Sequence, residues 1–245
     1  MTVIDNWPKT IPTLTRDQMV EVDRSMIEDF GIELLQMMEN AGRHLAHLTR
    51  DRFLGGDAVD KAVTVLAGTG GNGGGALVAA RRLSDWGAHV EIALIRSEDG
   101  YTGAAAHQLA IAQKLKLKLK RADQESLDDA TDVIVDGMVG YSLRGRPKGT
   151  VADCIRWATA HPAPVLALDL PTGLDATTGE TRGGTIKATA TMTLALPKAG
   201  LAVMGAEEFT GALYLADIGV PEAVYRRMGI DVGPIFSGSD LLRLS

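Results

Sequence analysis

The residues best suited to chemistry follow an apolar run in the first third of the chain. The run Val63–Leu66 is β-branched and apolar, which predicts a buried strand, and six of the eight residues in Gly68–Gly75 are glycine. Helical apolar spacing starts at Ala76. Glycines let backbone N–H groups approach a phosphate closely, and a helix N-terminus favours negative charge. The order predicts a phosphate site or, alternatively, a turn that only lets helix and sheet pack closely.

These glycines also satisfy the dinucleotide fingerprint G-x-G-x-x-G, at Gly68, Gly70 and Gly73. In a dehydrogenase, an acid at the end of the next strand would hold a ribose hydroxyl. The next predicted strand, 89–95, is followed instead by Arg96 and Ser97. The pattern therefore favours phosphate binding but disfavours an ordinary NAD-dependent dehydrogenase.

Two further predicted strands end in an acid, one at Asp136 and the other at Asp169. Ligands of open α/β sheets bind outside the carboxyl ends of the strands, so neighbouring strands would aim both carboxylates at the reacting end of a ligand. Each acid alone has a second interpretation, which is a side chain that caps its own turn. The loop after Asp136 is cationic and could close over an anionic ligand, with Arg144, Arg146 and Lys148.

Several other catalytic motifs are absent from the sequence. It contains no G-x-x-x-x-G-K-[ST] loop, no H-E-x-x-H and no G-x-S-x-G elbow. The five histidines are scattered, and the one cysteine, Cys154, lies on the apolar face of a predicted helix, which indicates core packing. Carboxylate acid–base chemistry on a nucleotide is the chemistry that remains.

Predicted strands and helices alternate from residue 62 onward, which is typical of an α/β fold with a largely parallel sheet covered on both faces. No linker or shift in composition divides the chain, so we predict one domain over 1–245. Its parts are an extended arm at 1–14, a helical pair at 15–54, the α/β core at 62–229 and an irregular tail at 230–245.

The second predicted helix of the pair contains a segment with two interpretations. Asn40 leaves the apolar stripe, and Gly42 is a costly residue in the middle of a helix. A solvated polar face is the simpler interpretation. The alternative is that Gly42 permits close approach to another element while Asn40 points into a site.

The bulk composition limits the class of partner. The formal net charge is −6 and 45% of the residues are hydrophobic, which argues against a nucleic-acid or anionic-membrane surface. No stretch reaches the roughly 18 continuous apolar residues of a membrane helix. The N-terminus lacks a basic-then-apolar signal pattern. We therefore expect a cytoplasmic protein.

Five short segments, taken together and in order, resemble the YjeF N-terminal domain family, whose enzymes are NAD(P)H-hydrate epimerases. The segments are Met38–Gly42, the glycine loop, Asp136 with Gly140, Leu168–Gly173, and Thr193 through Lys198–Leu201. The likeness extends from about Leu14 to Tyr225. It implies a Rossmann-like three-layer α/β/α sandwich with a mostly parallel central sheet, assembled as a homodimer.

The resemblance also implies a reaction and a site. The family interconverts the R and S epimers of hydrated NADH or NADPH (NADHX and NADPHX), so that a separate dehydratase can restore the S form. By position, Asp169 is the catalytic candidate, and a potassium ion would be held by Asn72, Asp136 and Thr172, which are oxygen donors suited to a hard cation. The implied substrate-binding residues are Gly71, Asn72, Gly73, Gly74, Gly75, Gly140, Tyr141, Ser142, Leu143, Arg144, Gly145, Arg146 and Asp169.

This chain departs from the family pattern at the substrate loops. Gly71 stands where the family has an asparagine and Gly75 where it has an aspartate, while Tyr141 and Ser142 replace a threonine and a glycine. The retained acids favour an epimerase. The two replaced side chains in the glycine loop favour the alternative, a weak or inactive nucleotide-binding dimeric scaffold of the same family.

Overall fold

A capping box starts the first helix of the computed structural model, which describes residues 2–3, 11–127, 130–181 and 183–245. Helix α1 (Arg16–Arg24) begins where Thr15 Oγ1 accepts from the N–H of Gln18 at 3.3 Å and Gln18 Oε1 accepts from the N–H of Thr15 at 2.8 Å. It continues into a π-helical turn, Ser25–Asp29. Helix α2 (Leu34–Phe53) follows. The two predicted helices are confirmed.

A nine-stranded sheet runs through the described residues in the order β1-β9-β8-β7-β6-β5-β2-β3-β4. Every pairing is parallel except the antiparallel pairing of β8 with β9. In this order, β3 and β4 are added on one side of β2, and β5 to β8 are added on the other side. The strand order therefore reverses between β2 and β5, and such folds bind ligands at this switch point. The strands are β1 (Thr2–Val3), β2 (Ala62–Ala67), β3 (His89–Leu94), β4 (Lys118–Arg121), β5 (Val133–Gly137), β6 (Val165–Leu168), β7 (Ala190–Leu194), β8 (Ala212–Ala216) and β9 (Leu241–Arg243).

Helices cover both faces of this sheet, as the sequence predicts. Adjacent residues of β2 show the two faces, because Val65 packs with α2 and α3 while Leu66 packs in a separate cluster that includes Cys154 of α5. Burial on both faces explains why the central strands are continuously apolar. The remaining helices are α3 (Gly71–Asp85), α4 (Gly103–Lys114), α5 (Thr150–Ala160), α6 (Glu207–Thr210) and α7 (Glu222–Arg227).

The structure corrects two element boundaries. Helix α3 begins at Gly71 rather than at Ala76, so most of the predicted loop is helix. The tail predicted to be irregular ends in β9, whose Leu241 and Leu242 are buried. Both corrections have the same cause, which is that a tertiary contact stabilises a segment without a local sequence signal. Packing against α2 stabilises the glycine-rich first turn of α3, and pairing with β8 stabilises the three-residue strand β9. Of the predicted arm, residues 1 and 4–10 lie outside the described residues.

Gly42 allows helices α2 and α3 to touch. A Cβ at this position would lie 2.5 Å from the carbonyl oxygen of Gly75 and 2.5 Å from Val78 Cγ1, both in α3. Asn40 Nδ2 donates to the carbonyl of Ile218 at 3.2 Å. The close-approach interpretation of Gly42 is therefore confirmed.

None of the helices in the described parts of the chain is both long enough and apolar enough to cross a membrane.

We predict that Gly42→Ala lowers the free energy of unfolding by about 1–3 kcal/mol, because the added methyl group forces α2 and α3 apart. Urea denaturation of the variant measures this change. Gly238→Ala is the control, since a Cβ at Gly238 would have no heavy atom within 4 Å. Equal stability of the two variants would contradict the assigned role of Gly42.

Candidate active site

The carboxyl ends of β2, β5, β6 and β7 bring most of the predicted site residues to one edge of the sheet. The register places Leu66 of β2 beside Asp136 of β5, and Asp136 beside Ala167 of β6. Asp136 and Asp169 therefore leave neighbouring strands. The expectation that both acids lie beside the glycine segment is confirmed by this topology.

The glycines of Gly68–Gly75 divide into two groups. A Cβ at Gly68 would overlap the carbonyl of Met138, and one at Gly73 would overlap Gly68, so both glycines serve close packing. Gly70 and Gly71 have open space around them and are exposed. Because α3 starts at Gly71 without a side-chain cap, its first N–H groups have no intrahelical acceptor and are free for an anion.

The structure places the rest of the glycine segment inside the protein. A Cβ at Gly74 would overlap Met38, and the N–H of Gly74 already donates to the carbonyl of Gly70 at 3.0 Å. Gly75 is buried, and a Cβ there would lie 3.1 Å from Leu168 Cδ2. The packing interpretation is therefore confirmed for the later glycines, while Gly70 and Gly71 are exposed and the phosphate site there stays a prediction.

Asp136 is a fully buried carboxylate whose pKa is raised to about 6 by burial. Its oxygens accept from the N–H of Thr172 at 2.8 Å, from Thr172 Oγ1 at 2.7 Å and from the N–H of Met138 at 3.2 Å. These donors oppose the rise. In the part of the chain that the structure describes, no cationic side chain pairs with this carboxylate.

Further oxygen atoms lie in the loops that adjoin Asp136 and Thr172. Thr172 Oγ1 accepts from the N–H of Val139 at 3.1 Å and lies 3.2 Å from the Val139 carbonyl oxygen. Asn72 Nδ2 donates to the carbonyl of Leu168 at 2.7 Å, and its side chain fills the space left by Gly140, where a Cβ would lie 2.5 Å from Asn72 Oδ1. A buried carboxylate without a cationic partner, among hydroxyl, amide and carbonyl oxygens, fits a hard monovalent cation.

Asp169 occupies a strained position directly after β6. Its φ is +68°, a left-handed conformation that is unusual outside glycine and is often found at functional sites. Its N–H donates to the Met192 carbonyl at 2.7 Å, while its carboxylate accepts from Thr193 Oγ1 and from the N–H of Tyr141, both at 3.3 Å. Asp169 is thus held in place by β7 and by the loop after β5.

Lys198 forms a buried ion pair with Asp169, and sequence reasoning did not assign it a role. The side chain of Lys198 is 0% exposed, its Nζ contacts Asp169 Oδ1, and it also donates to the Leu194 carbonyl at 2.7 Å. The loop is held by the N-terminal arm, since the N–H of Leu14 donates to Pro197 at 2.9 Å and the N–H of Ala199 to Leu14 at 2.8 Å. A lone lysine within the apolar run Leu194–Leu201 is the signal that could have identified it.

A second acidic contact lies in the same cavity. The Tyr141 hydroxyl donates to Asp23 Oδ2 of α1, and burial raises the pKa of both groups above their ordinary values. Asp23 was not predicted from the sequence because it lies far from any strand end. Asp23, Asn72, Tyr141, Asp169 and Lys198 are the polar residues of the cavity.

The remaining wall of this cavity is apolar. It is formed by Met19, Leu34, Met37, Met38, Ala41, Leu194 and Ile218, with Gly71 at one side. A mostly apolar cavity with a few fixed polar groups is typical of a small-molecule binding site. By contrast, the predicted residues Ser142, Leu143, Arg144, Gly145 and Arg146 do not contribute to the wall.

Comparison with known proteins identifies relatives across most of the chain. The family model for the YjeF-related protein N-terminus matches residues 34–200. A protein from Dehalogenimonas lykanthroporepellens, named NAD(P)H-hydrate epimerase, is 40% identical over 91% of this chain and 88% of its own length. A protein of the same name from Rhodopirellula baltica is 34% identical, with 90% and 89% covered.

Two further relatives differ in length or in distance. A bifunctional NAD(P)H-hydrate repair enzyme Nnr from Salinibacter ruber is 33% identical over 94% of this chain, which spans only 44% of that protein. A crystal structure of the yeast protein ynu0 superposes with a TM-score of 0.81 at 24% identity, covering 96% of this chain and 100% of the yeast chain. The latter likeness supports the fold.

We predict that Lys198→Met destabilises the protein by about 3–5 kcal/mol, because it leaves the Asp169 carboxylate buried without a counter-charge. Urea denaturation measures the change. The double variant Lys198→Met with Asp169→Asn restores at least half of the loss, since it removes both charges. Lys148→Met, at an exposed lysine, is the control. A cost of less than 1 kcal/mol for Lys198→Met would contradict the ion pair.

Proposed function

The chain belongs to the YjeF-related protein N-terminus family, and from this premise we propose that it is an NAD(P)H-hydrate epimerase, an isomerase that interconverts the R and S epimers of hydrated NADH and NADPH. The resemblance inferred from five short segments is thereby confirmed. The observation that carries the proposal is the buried Asp169–Lys198 pair in an apolar cavity beside the open N-terminus of α3.

The chemistry of the substrate explains why this pair is suitable. The hydrate carries a hydroxyl group on the carbon beside the ring nitrogen, and loss of that hydroxyl leaves an iminium cation. Addition of water to the opposite face inverts the centre. Asp169 supplies a fixed negative charge where the cation develops, in a cavity with a largely apolar wall. Lys198 holds the carboxylate in place and compensates its charge before the substrate ionises.

The other end of the substrate is anionic, and the glycine segment suits it. Gly71 and Asn72 form the first turn of α3, which has no side-chain cap, and both residues line the cavity. We infer that they bind the pyrophosphate, and that the exposed cations Arg144 and Arg146 approach it from the loop after β5. Gly73, Gly74 and Gly75 support this arrangement by packing.

A potassium ion is proposed at the oxygen cluster around Asp136. Asn72, Asp136 and Thr172, with the Val139 carbonyl, would hold it. When bound, it supplies positive charge that compensates the buried carboxylate. The chain's own contribution is structural: Asp136 and Thr172 fix the two loops from which Tyr141 and Asp169 reach the cavity.

The downstream step and the assembly are also proposals. The Salinibacter relative is named a bifunctional repair enzyme and is more than twice as long as the stretch it shares with this chain. We infer that a dehydratase acting on the S epimer accompanies this epimerase. A homodimer and a cytoplasmic location stay predictions.

We predict that the purified chain speeds the consumption of the R epimer when an S-specific dehydratase is present. Asp169→Asn lowers this rate by about 10²–10⁴-fold, because it removes the negative charge beside the iminium carbon. Asp85→Asn, at an exposed carboxylate, is the control. R-epimer consumption at the spontaneous rate with wild-type protein would refute the epimerase; retained NADP binding in that sample would instead support the nucleotide-binding scaffold.

We predict that potassium raises the melting temperature at pH 7.5 more than at pH 5. Without a cation, the ionised form of Asp136 is disfavoured in the fold, so stability is lost as the pH rises from 3.8 through about 6. Potassium binds the ionised form and restores that stability. Thermal unfolding in KCl and in tetramethylammonium chloride measures the difference, and Asp136→Asn abolishes it. Equal shifts in both salts would count against the site.

A further inference from the structure

Epimerisation of a hydroxyl-bearing carbon needs proton transfer on both faces of the ring. On one face the leaving hydroxyl must receive a proton, and on the other face the incoming water must lose one. A single acid–base group on one side can expel the hydroxyl and return water only to the side from which it left. An epimerase therefore needs a second group across the cavity from the first.

The cavity contains two separate acid-bearing contacts. One is the Asp169–Lys198 pair at the ends of β6 and β7. The other is the contact between the Tyr141 hydroxyl and Asp23, and Asp23 comes from α1 rather than from the sheet. All four residues line the same cavity.

Tyr141 itself connects the two contacts and sets their separation. Its backbone N–H donates to Asp169 Oδ2 at 3.3 Å, while its side-chain hydroxyl donates to Asp23 Oδ2. The two carboxylates therefore lie at opposite ends of one tyrosine, with the aromatic ring between them. Apolar side chains of α1 and α2, such as Met19 and Met37, border the intervening space.

We propose that Tyr141, held by Asp23, is the acid–base group that serves the ring face opposite to Asp169. This inference rests on the proposed epimerase function and deepens it. Tyr141 would touch the substrate hydroxyl or the attacking water, whereas Asp23 is a positioning residue that exchanges a proton with Tyr141.

The proton balance follows from the hydrogen bond. When the hydroxyl leaves from the Tyr141 face, the C–O bond breaks, Tyr141 Oη gives its proton to the leaving oxygen, and Asp23 in its protonated form gives a proton to Tyr141. When water adds on that face, the C–O bond forms, the water gives a proton to Tyr141, and Tyr141 passes its own to the Asp23 carboxylate. On the other face the Asp169 carboxylate accepts the proton of the water that adds there, and in the reverse direction protonated Asp169 gives that proton to the hydroxyl that leaves. Proton exchange with solvent returns Asp23 and Asp169 to their starting states. No electron donor or acceptor is needed.

The burial of Asp23 agrees with this exchange. Burial raises the pKa of the Asp23 carboxyl, while the hydrogen bond from Tyr141 and the charge of Lys198 oppose the rise and the charge of Asp169 adds to it.

The test uses ¹⁸O-labelled R and S hydrates of NADH with the full chain, and follows both inversion and loss of label by mass spectrometry. For the wild type, each inversion exchanges the oxygen. For Tyr141→Phe, inversion falls by about 100-fold or more, while one of the two epimers still loses its label with retention of configuration at the Asp169 face. Asp23→Asn lowers inversion in the same way.

Tyr225→Phe is the matched control, since the Tyr225 hydroxyl is buried without a hydrogen-bond partner in the described chain and lies outside this cavity. Thermal unfolding of each variant checks that it folds. Inversion by folded Tyr141→Phe at the wild-type rate would overturn the proposal. The proposal would also be overturned if this variant lost inversion and label exchange to the same extent for both epimers. A wild-type protein that inverts neither epimer would instead refute the proposed function.

Discussion

The buried ion pair between Asp169 and Lys198 is the interaction on which the site depends. Two charges removed from water are costly unless each has a partner and further hydrogen bonds, and here the surrounding structure provides both. Lys198 donates to Leu194, and Asp169 accepts from Thr193 and from the backbone of Tyr141. The left-handed conformation of Asp169 is tolerated because these contacts hold the residue from several sides.

Parts of the chain remote from the sheet centre hold this ion pair and its cavity in place. Leu14 hydrogen-bonds on both sides of Lys198, so the end of the N-terminal arm fixes the lysine loop. Helix α1 supplies Asp23 to the opposite side of the cavity, and α2 supplies most of its apolar wall. The N-terminal helices therefore complete the wall of the candidate site in addition to covering the sheet.

Two carboxylates at neighbouring strand ends have opposite environments. Asp169 faces a lysine, whereas the partners of Asp136 among the described residues are neutral donors, and burial raises the pKa of Asp136. Asp169 is therefore suited to a reaction that forms a cation, whereas Asp136 is suited to binding a cation. Neither environment could be predicted from the strand that precedes each acid, because the partners come from β7, from the loop after β5 and from Thr172.

The sequence by itself determined the alternation of strands and helices, the parallel sheet, and the position of Asp136 and Asp169 at its edge. These features follow from local hydrophobic periodicity and from the rule that ligands meet the carboxyl ends of parallel strands. Only the tertiary structure decided the start of α3 at Gly71, the strand β9, and the placement of Lys198 and Asp23 in the cavity. Each of these depends on a contact between segments distant in the sequence, such as Gly42 with Gly75 or Tyr141 with Asp23, and local patterns carry no information about such contacts.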